Sequence, residues 1–241
     1  MPLTVTPVAC LSDNYAWLLR AADGRLAVCD PGEADPVIAA AEALGGRIDT
    51  ILLTHHHGDH VAGVADLVKR HGCKVVGAAA DQQRLPHLDL AVKPGDSFDL
   101  FGLAVEVLAS DGHTRGHIAF HLPESAILLC GDTLFSLGCG RLLEGTAAEM
   151  FDSLAALAAL PPETLVCCGH EYTESNARFA LSIDPDNGAL KARAAEVARQ
   201  RAEGKPTLPT TIGEECDTNP FLRAGDVATL ARIRAAKDNF R

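Results

Sequence analysis

The stretch Leu53-Thr54-His55-His56-His57-Gly58-Asp59-His60 restricts the fold of this chain more than any other. Ile51-Leu52-Leu53, just ahead of it, is an apolar run that reads as a buried strand. Val61, Val64, Ala65 and Val68, just after it, keep helical spacing. The histidines therefore fall on a strand-to-helix turn at a sheet edge. Residues two apart in an extended segment face the same way, so His55 and His57 can grip one metal ion together. Asp59 and His60 follow where the chain bends, and can reach a second ion beside the first. Gly58, lacking a Cβ, permits the bend. Three imidazoles and a carboxylate at this spacing suit zinc or a first-row neighbour, not calcium or magnesium. A purification tag would be terminal and homopolymeric; this stretch is internal and follows an apolar strand.

The 241 residues suffice for one domain, or for one large and one small. A composition 47% hydrophobic and 22% charged is globular, which excludes wholesale disorder. The formal charge of −11 argues against a nucleic-acid or anionic-membrane partner, because binding phosphates needs a basic footprint. A negatively charged small substrate would need a local basic patch. The eight cysteines include no C-x-x-C pair, and Cys29, Cys130, Cys167 and Cys168 lie in or beside apolar runs. Buried, reduced thiols in a cytoplasmic protein are the expectation. The first residues, Met1-Pro2-Leu3-Thr4-Val5, do not read as a signal peptide, and no apolar run approaches the roughly 20 residues of a membrane span.

Taken in order, the pattern predicts a hairpin from strands at 3–11 and 16–21, a strand at 26–29 stopped by Asp30-Pro31-Gly32, and a helix over 34–44. After the histidine turn come one helix, a strand at 74–78, an irregular stretch over 79–95, and a strand pair at 97–100 and 103–108. The loop Asp111-Gly112-His113-Thr114-Arg115-Gly116-His117 feeds a strand at 118–122. A strand at 126–130 ends in Gly131-Asp132, a helix spans 147–160, and a strand at 164–168 ends in Gly169-His170-Glu171-Tyr172. Helices at 173–182, 187–203 and 226–238 complete the chain, with a Pro- and Thr-containing loop between the last two. Strand ends thus deliver His55, His57, His113, Asp132 and His170, all metal-ligand types, on a rigid scaffold.

His55-x-His57-x-Asp59-His60, His113 in His-Thr-x-Gly-His, Asp132 in Gly-Asp-Thr and His170 in Gly-His-Glu resemble, in order and context, the metallo-β-lactamase superfamily. Within it the chain is most similar to the glyoxalase II (hydroxyacylglutathione hydrolase) family. The further likeness lies in Leu11-x-Asp13-Asn14-Tyr15, Gly138-Cys139-Gly140-Arg141-Leu142-Leu143-Glu144-Gly145-Thr146, Asn219-Pro220-Phe221-Leu222-Arg223 and Lys237-Asp238-x-Phe240, so it runs nearly end to end. The resemblance implies an α/β (α+β) fold: an αββα sandwich over residues 1–168, followed by a helical glutathione-binding domain over 169–241.

The same likeness implies two divalent metal ions, zinc first, with iron or manganese as alternatives. His55, His57 and His113 would hold one ion and Asp59, His60 and His170 the other, with Asp132 bridging. Asp59 and Asp132 are accordingly the expected catalytic carboxylates. For the substrate it points to Arg141, Tyr172, Arg234 and Lys237, with Leu143 lining the pocket at a position where some members carry an aromatic. Arg234 and Lys237, three apart on the last helix, share a face and could form the required basic patch with Arg141. His56 and His117 fall in the motifs but outside the ligand positions. The implied activity is hydrolysis of an S-2-hydroxyacylglutathione such as S-D-lactoylglutathione to D-lactate and glutathione, by attack of a hydroxide bridging the metals. This is the second step of methylglyoxal detoxification. The partner is a small glutathione thioester, with no nucleic acid or membrane, in a cytoplasmic monomer. The alternative is a mononuclear-iron glutathione persulfide dioxygenase of the same fold, or another hydrolase of that fold.

Overall fold

Short apolar runs separated by single helices give parallel strands buried on both faces, whereas alternating runs give antiparallel ones with a wet face. Both kinds occur in the computed structural model, which describes residues 1–240. The chain divides into two compact units, residues 1–109 with 116–131, and residues 110–115 with 132–241.

In the first unit, β1 (Thr4–Cys10), β2 (Asn14–Arg20) and β3 (Leu26–Cys29) are antiparallel neighbours. Helix α1 (Ala34–Ala43) then crosses to β4 (Ile48–Leu52), which lies parallel to β3. Helices α2 (Gly58–Val61) and α3 (Val64–His71) lead to β5 (Lys74–Ala78) and then β6 (Leu90–Val92), both parallel. All four residues of β3 are buried, as expected of the strand where a mixed sheet turns from antiparallel to parallel and is covered on both faces. A second sheet carries β7 (Ser97–Leu100), β8 (Leu103–Ala109), β9 (Ile118–Leu122) and β10 (Ile127–Gly131) as an antiparallel meander. Along β8, Leu103, Val105 and Val107 are buried while Ala104 and Glu106 are exposed, the alternation of a half-wet strand.

Two local expectations fail here for identifiable reasons. The single helix expected after the histidine turn is two, because the backbone at Gly63 presses against the 31–33 turn. A Cβ there would lie 2.7 Å from the Pro31 carbonyl oxygen, which accepts the Gly63 N–H at 2.9 Å. The irregular stretch over 79–95 contains β6, whose three residues are too few to show a period.

The second unit opens on the hairpin β11 (Leu134–Phe135) and β12 (Gly138–Cys139), which the sequence pattern did not reveal. Helix α4 (Ala147–Ala158) starts at a capping box between Thr146 and Glu149. Strand β13 (Leu165–Cys168) is followed by α5 (Thr173–Ile183) and α6 (Gly188–Ala202), the latter capped by Asn187. Leu137, Ala177, Ala180 and Leu190 form a core cluster of this unit. The expected loop before the last helix instead holds β14 (Thr210–Thr211), paired with β13, and α7 (Ile212–Thr218). Propensity does not foretell α7, which includes Gly213, Asp217 and Thr218. Tertiary contacts hold it. The fully buried Glu215 accepts from Leu137 N–H at 2.7 Å, Thr210 Oγ1 at 2.9 Å and Asn219 Nδ2 at 3.0 Å, while burial raises its carboxyl pKa. The Asn219 amide also donates to the carbonyls of Phe135 and Gly138, which fixes the β11–β12 hairpin. Helix α8 (Val227–Asp238) is capped by Asp226.

Candidate metal and substrate site

Beyond β4 the chain runs through Leu53 and Thr54 into the histidine turn, and a residue at the end of the neighbouring strand orders that turn. Asp30, just past β3, is 3% exposed and adopts φ +51°, a left-handed conformation unusual for a residue with a side chain. Its carboxylate accepts from Thr54 N–H at 2.8 Å and from the Thr54 hydroxyl at 2.6 Å, and lies 3.2 Å from His60 Nδ1. With its proton donated to Asp30, the Thr54 hydroxyl is an acceptor for His55 Nδ1–H at 3.0 Å. These bonds assign the Nδ1–H tautomer to both His55 and His60 and make each Nε2 the acceptor nitrogen, the one able to ligate a metal ion. His55 Nε2 lies 3.1 Å from His57 Nδ1, and ligand atoms of Asp30, His55 and His60 all fall within 4.8 Å of one another. Asp59 Oδ2 lies 3.8 Å from His60 Nε2.

The two motif histidines outside the expected ligand set have other partners. His56 Nδ1 bonds Asp81 at 2.9 Å, and Asp81 also pairs with Arg84. The buried His117 ring stacks on His55 at 4.7 Å between centroids.

In the second unit, the loop carrying His113 is drawn down by Ser153 Oγ, which donates to the Asp111 carbonyl at 2.7 Å. Gly112 takes φ +133°, and a Cβ there would lie 2.8 Å from Met150 Cα, so the position requires glycine on both counts. His113 Nδ1–H donates to the Arg141 carbonyl at 2.9 Å, so its Nε2 carries the lone pair. That nitrogen lies 3.5 Å from Asp132 Oδ2, and His170 Nε2 lies 3.3 Å from the same oxygen. All three side chains are buried. An acceptor nitrogen aimed at a buried carboxylate oxygen is a poor pair by itself and a good pair of donors to a cation. The nitrogen and oxygen donors, without sulfur, fit a divalent first-row ion.

Asp132, His113 and Arg141 also line a cavity of about 480 Å³ in this unit, together with Phe135, Tyr172, Arg234 and Lys237. The Tyr172 ring stacks on His170 at 4.6 Å with 4° between planes, and Phe135 meets both rings edge-on. Arg234 is buried; its guanidinium donates to the Cys139 carbonyl at 2.8 Å and to Asp238 at 2.8 and 3.1 Å. Arg141 approaches the same Asp238 oxygen to 3.9 Å. Lys237 Nζ donates to Ser175 and sits over the Phe179 ring at 5.4 Å. Cys139 lies in the wall too, but burial pushes its thiol up to about 11, so it is not a thiolate at neutral pH. Leu143 is 60% exposed and not among the lining residues.

Burial, and then the neighbouring Arg234, Arg178 and Arg141 charges, push the Lys237 ammonium down from 10.5 to about 8. It is cationic below that value and neutral above it, so attraction for an anionic ligand falls as pH rises. kcat/KM for an anionic substrate is expected to drop by about tenfold as pH passes upward through 8. Lys237→Met should start lower and stay flat over that range; a pH–rate profile of both proteins checks it.

Residues 12–170 match the model of the metallo-β-lactamase superfamily, and residues 171–240 match that of the hydroxyacylglutathione hydrolase C-terminus. A hydroxyacylglutathione hydrolase of Acidiphilium cryptum is 57% identical over 237 residues, covering 98% of this chain and 97% of that one. The chain belongs to the hydroxyacylglutathione hydrolase family. Its fold is that of the superfamily, with the family's helical C-terminal part. Among solved structures, this chain is similar to TTHA1623, a protein crystallised in a di-iron-bound form. That pair shares 30% identity at a TM-score of 0.62, covering 92% of this chain and 99% of the other. ETHE1 from Myxococcus xanthus shares the fold at a TM-score of 0.71 and 24% identity, covering 98% and 90%. No helix among the described residues is long and apolar enough to cross a membrane.

Asp30 is the residue that reasoning from the sequence missed. Followed by Pro31-Gly32 it reads as a turn residue, and nothing local distinguishes a carboxylate that ends a strand from one that braces the next. Phe135 was missed with its hairpin.

Proposed function

We propose that this chain hydrolyses S-2-hydroxyacylglutathione thioesters, S-D-lactoylglutathione first, to the 2-hydroxy acid and glutathione. The observation that carries this reading is one cavity wall holding two metal-ligand candidates, His113 and Asp132, beside three cations, Arg141, Arg234 and Lys237. An acidic chain has reason to concentrate cations around a cavity when the ligand is an anion. The family membership supports the same substrate.

In this reading His55, His57 and His113 hold one ion and Asp59, His60 and His170 the other, with Asp132 shared. Zinc is the first expectation, and iron or manganese are accepted by the same donors. Divalent ions held there would supply an acidified water, with a pKa of about 7, and a Lewis acid for the thioester carbonyl. The chain's own residues bind, orient and exclude. Lys237 and Arg234 face a glutathione carboxylate, and Arg141 extends the positive wall. Tyr172, stacked flat on His170, offers its edge and hydroxyl to the peptide while limiting rotation of that imidazole. The Arg141 carbonyl holds the His113 proton at Nδ1. A thiolate leaving group has a pKa of about 8.5, so departure needs no strong general acid, and the protonated Cys139 is no rival nucleophile.

Residues 1–168 would form the catalytic domain and 169–241 the glutathione-binding one. The reading places the chain in the cytoplasm as a monomer, a reducing setting in which its cysteines, seven of the eight buried, stay thiols. The test is steady-state loss of the thioester from S-D-lactoylglutathione, run beside oxygen uptake with glutathione persulfide. Thioester turnover without oxygen uptake supports the hydrolase; the reverse supports the dioxygenase.

A further inference from the structure

Asn14, the first residue of β2, is 6% exposed, and its side-chain amide donates twice to one residue. Nδ2 lies 3.2 Å from the Asp59 main-chain carbonyl and 3.1 Å from Asp59 Oδ2. On another side the same carbonyl packs against Gly32, where any Cβ would lie 2.1 Å from the oxygen. The backbone of Asp59 is thus pinned between the start of β2 and the turn after β3. Its carboxylate is 39% exposed, and the Asn14 amide braces its Oδ2 from the β2 side.

We infer that Asn14 is a positioning residue that sets the occupancy of the second metal ion by holding Asp59 in its ligand orientation. This rests on the ligand assignment proposed above. The amide nitrogen is a donor with no lone pair for a metal, so it orients the carboxylate without competing for the ion. Asp59 belongs to one ion's ligand set and not the other's, so the effect of Asn14 is confined to one ion. A residue that merely stabilised the fold would weaken both.

The experiment is zinc titration of metal-stripped full-length protein against a chromophoric chelator, with bound zinc per chain counted by native mass spectrometry. For Asn14→Ala, second-site affinity is expected to fall about 10–100-fold while the first site keeps its parental affinity. Asn14→Ser, whose hydroxyl is too short to span both Asp59 oxygens, should behave alike and serves if the alanine variant does not fold. Parental affinity at both sites would overturn the inference, as would equal weakening of both. Asp59→Ala is the control: it should bind one zinc, and retention of two would overturn the ligand assignment itself and the inference with it.

Discussion

Asp132→Asn is expected to lower kcat/KM for S-D-lactoylglutathione by more than about 10³-fold while leaving the fold intact. The substitution keeps the shape of the side chain and removes its charge. In the native protein Asp132 Oδ2 lies 3.5 Å from His113 Nε2 and 3.3 Å from His170 Nε2, and all three side chains are buried. In the proposed site two neighbouring cations would repel, and an anionic oxygen between them would offset that repulsion where an amide oxygen would do so only weakly. The expected signature is a kcat loss with reduced metal content, a circular dichroism spectrum like the parent's, and an unchanged melting temperature of the metal-free protein. Activity within tenfold of the parent would remove Asp132 from the site.

Asp30→Ala is expected to cost about 3–5 kcal/mol of stability. It should also reduce metal affinity by about 10–100-fold. Three groups lose the Asp30 carboxylate at once: the buried Thr54 N–H at 2.8 Å, the Thr54 hydroxyl at 2.6 Å and His60 Nδ1 at 3.2 Å. The hydroxyl, freed to rotate, no longer fixes the His55 tautomer. For a chain of this size the loss corresponds to roughly 10 °C in Tm. Melting of the metal-free variant separates the fold term, and chelator competition measures the site term. An Asp30→Ala protein with the parental Tm and metal affinity would show that Thr54 and His60 hold their orientations unaided.

Much of the first unit was legible because its signals are local. Strands β3, β5 and β9 fall on largely apolar runs and β7 on an alternating one, and their limits follow from the turn residues around them. What the sequence hid was decided by contacts distant along the chain. Gly63 splits a helix because residues 31–33 press on it, and α7 forms around Glu215, whose partners lie as far off as Leu137. The site shows the same division. Histidines and carboxylates in spaced motifs point to metal chemistry by residue type alone. Their orientation depends on Asp30, Thr54 and Asn14, ordinary strand-end and turn residues until their hydrogen bonds are seen. The basic patch was half legible: helical spacing puts Arg234 and Lys237 together, but not the burial that ties Arg234 to Asp238.

The most direct test of the metal-dependent hydrolase is thioester loss from S-D-lactoylglutathione by purified protein, before chelation, after it, and after zinc is restored. The expected result is kcat/KM above about 10⁴ M⁻¹s⁻¹, abolished by chelator and recovered with two zinc ions per chain. Turnover that survives complete removal of metal, or none from protein carrying two ions, would contradict it.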